Sequence, residues 1–127
     1  MTLDRHVTLV YNFLARHWAI VEDRTAYERV DDQHWRITSQ VILLDGSSFY
    51  FSEFLVGQER HVEKLQYRYQ YVQEGREVFR YDNFDRHPGI QAPYHHYHTP
   101  DGRVVQVSNA PSLIEVVEQA ATLMFAQ

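Results

Sequence analysis

Residues 36–54 read RITSQVILLDGSSFYFSEF, and they contain the clearest hairpin pattern of the chain. Two runs rich in β-branched and aromatic residues flank the dipeptide Asp45-Gly46. This pattern predicts a hairpin, because a tight type I′ turn requires positive φ at both central residues. A two-residue turn pairs Ile42 with Phe49. It predicts one face made of Ile42, Leu44, Phe49 and Phe51, with Val41, Leu43 and Tyr50 on the other.

A second hairpin is predicted in residues 63–81. Apolar and polar side chains alternate from Leu65 through Tyr67, Tyr69 and Tyr71, which is the two-residue period of a strand. Glu74-Gly75 forms the turn, and residues 77–81 return. We interpret the tyrosines as a packed sheet face rather than as a platform for stacking bases.

Amphipathic helices are predicted at both ends of the chain. Residues 6–17 place apolar side chains at helical spacing, with Asp4 as the expected N-cap. Near the C-terminus, Ser112 and Glu115 match a capping box ahead of an apolar stripe. The sequence therefore predicts one α+β domain over residues 1–127. It is an antiparallel meander of four to six strands with both helices packed on one face.

Composition limits the classes of function. The chain has no cysteine, which excludes disulfides, thiolate metal sites and a cysteine nucleophile. We expect a cytoplasmic protein with no membrane span, because no apolar run is long enough and the N-terminus lacks a signal-peptide pattern. The net charge is −5, but residues 60–103 carry seven Lys or Arg against six Asp or Glu, with five histidines. That segment can meet a phosphate, and the acidic remainder suits a basic protein partner.

Residues 79–98, FRYDNFDRHPGIQAPYHHYH, hold the densest set of titratable side chains. In an extended chain His96 and His98 point to one side and His95 to the other. Histidine both takes and gives protons near neutral pH, and a guanidinium from Arg80 or Arg86 matches the oxygens of a phosphate. This set suits metal-independent cleavage of RNA through its 2′-hydroxyl.

Two other interpretations remain open for the same stretch. His96 and His98 can be two imidazole ligands of a metal ion, with His87 or Asp82 completing the set. Alternatively, the polar side chains only brace a long loop, and Asp82 and Asn83 satisfy neighbouring backbone groups.

Several short motifs follow one another between residues 36 and 98. They are DGS at 45–47, YRY at 67–69, RYDN at 80–83, HP at 87–88 and PYHHYH at 93–98. Their order and spacing resemble the TumE-like proteins, small bacterial and archaeal proteins that include toxins of type II toxin–antitoxin pairs. The chain departs from the family pattern at residues 84–86, which separate RYDN from a single histidine.

The resemblance implies a toxin that is neutralised by an antitoxin protein. We expect it to act on RNA through a His/Arg site, without a cofactor, and a homodimer through a sheet edge or the tyrosine face is compatible with the pattern. The alternative is a non-enzymatic binding or regulatory module whose His/Tyr-rich loop is a protein interface or a metal site. The candidate catalytic residues are His95, His96, His98 and Arg80, and the candidate binding residues are Tyr81, Asp82, Asn83 and His87.

Overall fold

Two helices and a seven-stranded antiparallel sheet make up the fold, which a computed structural model describes for residues 1–84 and 87–126. The strands pair in chain order, each with the next. This confirms the predicted α+β meander with terminal helices, although four to six strands was too low a number. The elements are α1 (Leu3–Arg16), β1 (Ile20–Asp31), β2 (His34–Leu43), β3 (Ser48–Gln58), β4 (His61–Gln73), β5 (Arg76–Asp82), β6 (His96–His98), β7 (Val104–Gln106) and α2 (Leu113–Met124).

The sequence pattern did not clearly predict β1, because this strand lies at the edge of the sheet. Only Ile20, Thr25 and Tyr27 are partly buried, and its other positions are exposed. An edge strand with so little buried surface needs no regular alternation of apolar and polar residues. Its charged side chains also discourage pairing with another sheet.

The turn between β2 and β3 is one residue longer than predicted. The Leu43 N–H donates to the Ser47 carbonyl oxygen at 2.9 Å, which leaves three residues in the loop. Gly46 ends the turn with a φ of 84°. This is the three-residue hairpin connection, in which a glycine takes the left-handed conformation.

The longer turn shifts the register of the hairpin by one residue. Phe49 pairs with Val41 instead of Ile42. The predicted division of faces is therefore wrong, because a shift of one residue moves a whole strand to the other face. In the observed register the large buried side chains all reach the same side: Ile37, Val41, Leu43, Phe49, Phe51 and Leu55.

Both helices cover this side of the sheet, which we call the core face, and we call the opposite side the outer face. Tyr67, Tyr69 and Tyr71 are fully buried on the core face, as predicted for a packed sheet face. The helices contribute apolar side chains to the same core: Leu3, Val10 and Leu14 from α1, and Leu113, Val116, Val117, Ala120, Ala121 and Met124 from α2.

The helix caps follow local sequence chemistry. In α2 the Ser112 side chain accepts a hydrogen bond from the Glu115 N–H and the capping box is complete, as predicted. In α1 the N-cap is Thr2 and not Asp4, which lies in the first turn near the positive end of the helix dipole. Within residues 1–84 and 87–126, neither helix has the length and apolar character needed to cross a bilayer.

A bulge in β4 changes which side chain points inward. Phe54 of β3 pairs with Gln66, but its neighbour Leu55 pairs with Lys64. The predicted alternation is therefore wrong at Leu65, which is 41% exposed. Lys64 turns toward the core instead, which is how a bulge re-aims a side chain.

Candidate functional site

Strands β5 and β6 place four polar side chains together on the outer face. In their antiparallel register Arg80 pairs with His98, and Asp82 pairs with His96. Residues two apart on a strand share a face, so all four side chains lie on one side of the sheet. Arg68 of β4 pairs with Asp82 and extends the polar set by one strand.

The residues between them anchor the same strands on the core face. The rings of Tyr81 and Tyr97 stack with centroids 4.3 Å apart. Both hydroxyls bond the Gln119 side chain of α2, each at 2.9 Å. The short strand β6 is thereby tied to a helix, and its histidines are held in place on the opposite side.

Phe84 and His87, which follow β5, pack against the outer face at this point. The Phe84 N–H donates to Asp82 Oδ1 at 3.1 Å, and its ring lies 5.0 Å from the Arg68 guanidinium. Asp82 and His96 consequently have no exposed surface. The pair is thus shielded from solvent although it lies on the face that the helices do not cover.

His87 lies against two histidines of β6 to form what we call the histidine cluster: His87, His96 and His98. The three ring centroids are separated by 4.8 Å, 5.2 Å and 5.0 Å, and one side-chain nitrogen from each lies within 4.8 Å of the others. His96 is buried, whereas His87 and His98 are partly exposed. The cluster therefore has a buried inner member and an outer edge that solvent reaches.

Two guanidinium groups and one imidazole surround the buried Asp82 carboxylate. Arg80 Nε lies 2.8 Å from its Oδ2 and Arg68 Nε lies 3.5 Å away. His96 Nε2 lies 3.0 Å from its Oδ1. A buried carboxylate is tolerated only with such compensation, since removing a charge from water is costly.

Arg80 links the two strands through several contacts. Besides Asp82, its guanidinium donates to Glu77 Oε1 and to His98 Nε2, each at 3.0 Å. Burial lowers the pKa of His98, and the adjacent Arg80 cation lowers it further. His98 is therefore a neutral hydrogen-bond acceptor toward Arg80 near neutral pH.

His95 points away from the cluster, as the strand alternation predicted. Its Nδ1 lies 2.9 Å from the Tyr67 hydroxyl, and it lines an open groove of about 860 Å³. Burial lowers the pKa of His95, with a smaller effect from His96, and burial raises the pKa of the Tyr67 phenol. The groove is also lined by His6, Lys64, Gln66, Phe84 and Glu115.

A family model described as Toxin TumE matches residues 10–124. The chain belongs to the TumE toxin family. This confirms the resemblance of the motifs, and the match contains every strand and the whole histidine cluster. Membership supports a toxin of a toxin–antitoxin system and suggests an antitoxin partner. No curated protein and no solved structure gives a significant match.

In this TumE-family chain, five of the eight candidate residues meet in one place: Arg80, Asp82, His87, His96 and His98. The other three lie elsewhere. His95 faces the groove, and Tyr81 lies on the core face. Asn83 accepts from the Tyr67 N–H at 3.0 Å and donates to the Leu65 carbonyl at 3.1 Å, so it braces the bulge of β4. Arg86, the alternative to Arg80 as a phosphate ligand, lies outside the described residues.

Two features of this TumE-family chain were missed from the sequence. Arg68 lies at the site, and its place on the outer face could have been inferred from its alternation with the buried tyrosines. A buried ionic group surrounds Glu53, whose carboxylate bonds His6 at 2.9 Å and the Tyr69 hydroxyl and lies 3.5 Å from Lys64 Nζ. An acidic residue at an inward position of the apolar strand β3 was the available signal.

Proposed function

We propose that this protein is the toxin of a toxin–antitoxin pair and that it acts on RNA at the histidine cluster. One observation carries the proposal. Three imidazoles and two guanidinium groups converge at one partly exposed point of the outer face. Phosphodiesters are anionic, and their cleavage needs groups that move protons or activate a nucleophile.

The solvent exposure of each side chain suggests its role in RNA binding and cleavage. His87 and His98 reach the surface, so they are the imidazoles that can contact RNA. His96 and Asp82 are buried and hold the others in position. In cleavage through the 2′-hydroxyl, the 2′ oxygen forms a bond to phosphorus as the bond from phosphorus to the 5′ oxygen breaks, which leaves a 2′,3′-cyclic phosphate and a 5′-hydroxyl. A base takes the proton of the 2′-hydroxyl, and an acid gives a proton to the departing 5′ oxygen. The histidines serve either as these proton carriers or as ligands of a metal ion.

Arg80 and Arg68 have different proposed roles in holding the phosphate. The Arg80 side chain is only 18% exposed and bonds three neighbours, which suits a positioning role beside its expected role as anion holder. The Arg68 side chain is 33% exposed and is the first guanidinium that a strand of RNA on the outer face would meet. A planar guanidinium offers paired donors that match phosphate oxygens.

A digestion assay on RNA tests the proposal. Purified wild-type protein is compared with His98→Ala and His87→Ala, each with and without chelator, and with His61→Ala as a matched control at an exposed position. We expect the two cluster variants to lose cleavage while His61→Ala retains it. Circular dichroism verifies that each variant is folded.

Four outcomes would count against the proposal. Equal cleavage by every variant removes the histidine cluster as the site of cleavage, and no cleavage under any condition removes RNA as the substrate. Loss of cleavage on His95→Ala alone would move the reaction to the groove. Growth arrest on expression that survives both cluster substitutions would favour the alternative of a non-enzymatic binding module.

A further inference from the structure

We infer that the histidine cluster binds one divalent transition-metal ion through His87, His96 and His98, with the Asp82 carboxylate as a fourth ligand. The inference rests on the geometry of the cluster and stands apart from any action on RNA. Imidazole nitrogens bind zinc at about 2.0–2.1 Å, so nitrogens around a tetrahedral ion lie roughly 3.3 Å apart. Those of the cluster lie within 4.8 Å of one another, so metal binding would draw them closer through rotation of the side chains.

The inner histidine is held in the orientation that a metal ligand requires. Nδ1 of His96 lies 2.7 Å from the Tyr94 carbonyl oxygen, which can only accept a hydrogen bond. Nδ1 therefore carries a proton, and Nε2 is the ring nitrogen that points into the cluster. A backbone carbonyl that orients a histidine in this way is a common partner of metal-binding imidazoles.

Two buried imidazole nitrogens have no hydrogen bond within the described part of the chain. Nε2 of His87 is one of them. Nε2 of His96 is the other, since it lies 3.0 Å from Asp82 Oδ1 but without the alignment of a hydrogen bond. Buried polar atoms without partners are rare. A metal ion bound beside these atoms would satisfy both nitrogens and the carboxylate oxygen together.

Arg80 competes with the metal ion for the His98 Nε2 lone pair. Its Nη2 donates to His98 Nε2 at 3.0 Å, so a metal ion must replace that hydrogen bond. The guanidinium would keep its contacts with Asp82 and Glu77. The site can therefore exchange between an arginine-bonded and a metal-bound form without moving the strands.

The donor set selects the class of ion. Three imidazoles and one carboxylate suit Zn²⁺, Fe²⁺, Ni²⁺ or Cu²⁺, whereas Mg²⁺ and Ca²⁺ prefer sites built from oxygen atoms. The chain has no cysteine, so thiolate ligands are excluded. Zn²⁺ is the natural probe, since it accepts a tetrahedral set of nitrogen and oxygen ligands.

The test is a calorimetric titration of chelator-treated full-length protein with Zn²⁺, with Mg²⁺ as the control ion. We expect one Zn²⁺ per chain and no heat of binding from Mg²⁺. His87→Ala and His98→Ala should each weaken Zn²⁺ binding at least tenfold, while His61→Ala binds like the wild type. The intense visible absorption of four-coordinate Co²⁺, added in place of Zn²⁺, reports the geometry of the site and should be lost in the same two variants.

Two results would overturn the inference: no binding of Zn²⁺ to wild-type protein, or binding that both cluster variants retain at full strength. Its failure is distinguishable from that of the proposed function. If zinc does not bind but RNA is still cleaved in the presence of chelator, the site acts without metal. If zinc binds as expected but RNA stays intact, the metal site stands and the RNA proposal falls.

Discussion

Replacing Asp82 by asparagine should strongly destabilise the fold while keeping the volume of the side chain. The carboxylate is fully buried and lies 2.8 Å from Arg80 Nε, 3.5 Å from Arg68 Nε and 3.0 Å from His96 Nε2. The amide oxygen of asparagine can still accept from the Phe84 N–H, but the charge that compensates the arginines is gone. Breaking a buried ion pair by removing one partner costs about 3–5 kcal/mol.

That loss converts to a large shift in thermal stability. For a chain of this size each kcal/mol lowers the melting temperature by roughly 3–5 °C, so we expect a drop of about 10–20 °C. Thermal and urea denaturation of metal-free protein, followed by circular dichroism, measure it. The matched control is Asp101→Asn, which removes an exposed carboxylate paired with Arg103 at 3.0 Å. That variant should melt almost like the wild type.

The comparison decides whether Asp82 carries the charge balance of the site. Equal melting temperatures for Asp82→Asn and Asp101→Asn would refute that reasoning. The arginines would then be compensated by other groups, and the buried carboxylate would not be the element that holds β4, β5 and β6 in register at the site.

Three further predictions concern the scaffold. Burial opposes the ionisation of Glu53, but the hydrogen bond from His6 and the Lys64 ammonium outweigh it, so the pKa of Glu53 is lowered. Its stabilising effect is therefore present above its unfolded-state pKa of about 4.3 and is lost as the pH falls through the folded-state value. Urea midpoints should fall more steeply on acidification for wild type than for Glu53→Gln, and parallel curves would contradict this. Ser112→Ala removes the capping box of α2 and should cost about 1 kcal/mol in urea denaturation, and no change would mean that the cap is not needed. Gly75 has a φ of 75°, so Gly75→Ala should cost about 1–2 kcal/mol and Gly75→Asn less, since asparagine tolerates this conformation better; equal losses would argue against backbone strain as the cause.

Local patterns were sufficient for much of the fold. The alternation through Tyr67, Tyr69 and Tyr71 predicted a buried face because only one side of β4 meets the helices. The Ser112 capping box was readable because it depends on residues three apart in the chain. The register of the β2–β3 hairpin could not be predicted in this way, since Asp45-Gly46 is compatible with turns of two or three residues. The three-residue turn places Val41 opposite Phe49, so that both side chains are buried on the core face.

Part of the candidate site was also predictable from a local pattern, the alternation of side chains along a strand. The alternation of a strand placed His96 and His98 on one side and His95 on the other, and the structure has them so. No local pattern predicted that His87 would lie against His96 and His98, since that contact depends on packing between residues that are not neighbours in the chain. Nor did any pattern show Arg68 beside Asp82, because the pairing of β4 with β5 sets that distance.

Short repeating periods and turns were enough to predict the class of fold, the order of the hairpins, the buried tyrosine face and the placement of the β6 histidines. The enclosure of Asp82 and His96, and the contact of His87 with His96 and His98, came instead from the packing of the folded chain. These features depend on contacts between residues that are distant in the chain. There, the need to compensate a buried charge and satisfy buried nitrogens selects one arrangement among many that the local sequence allows.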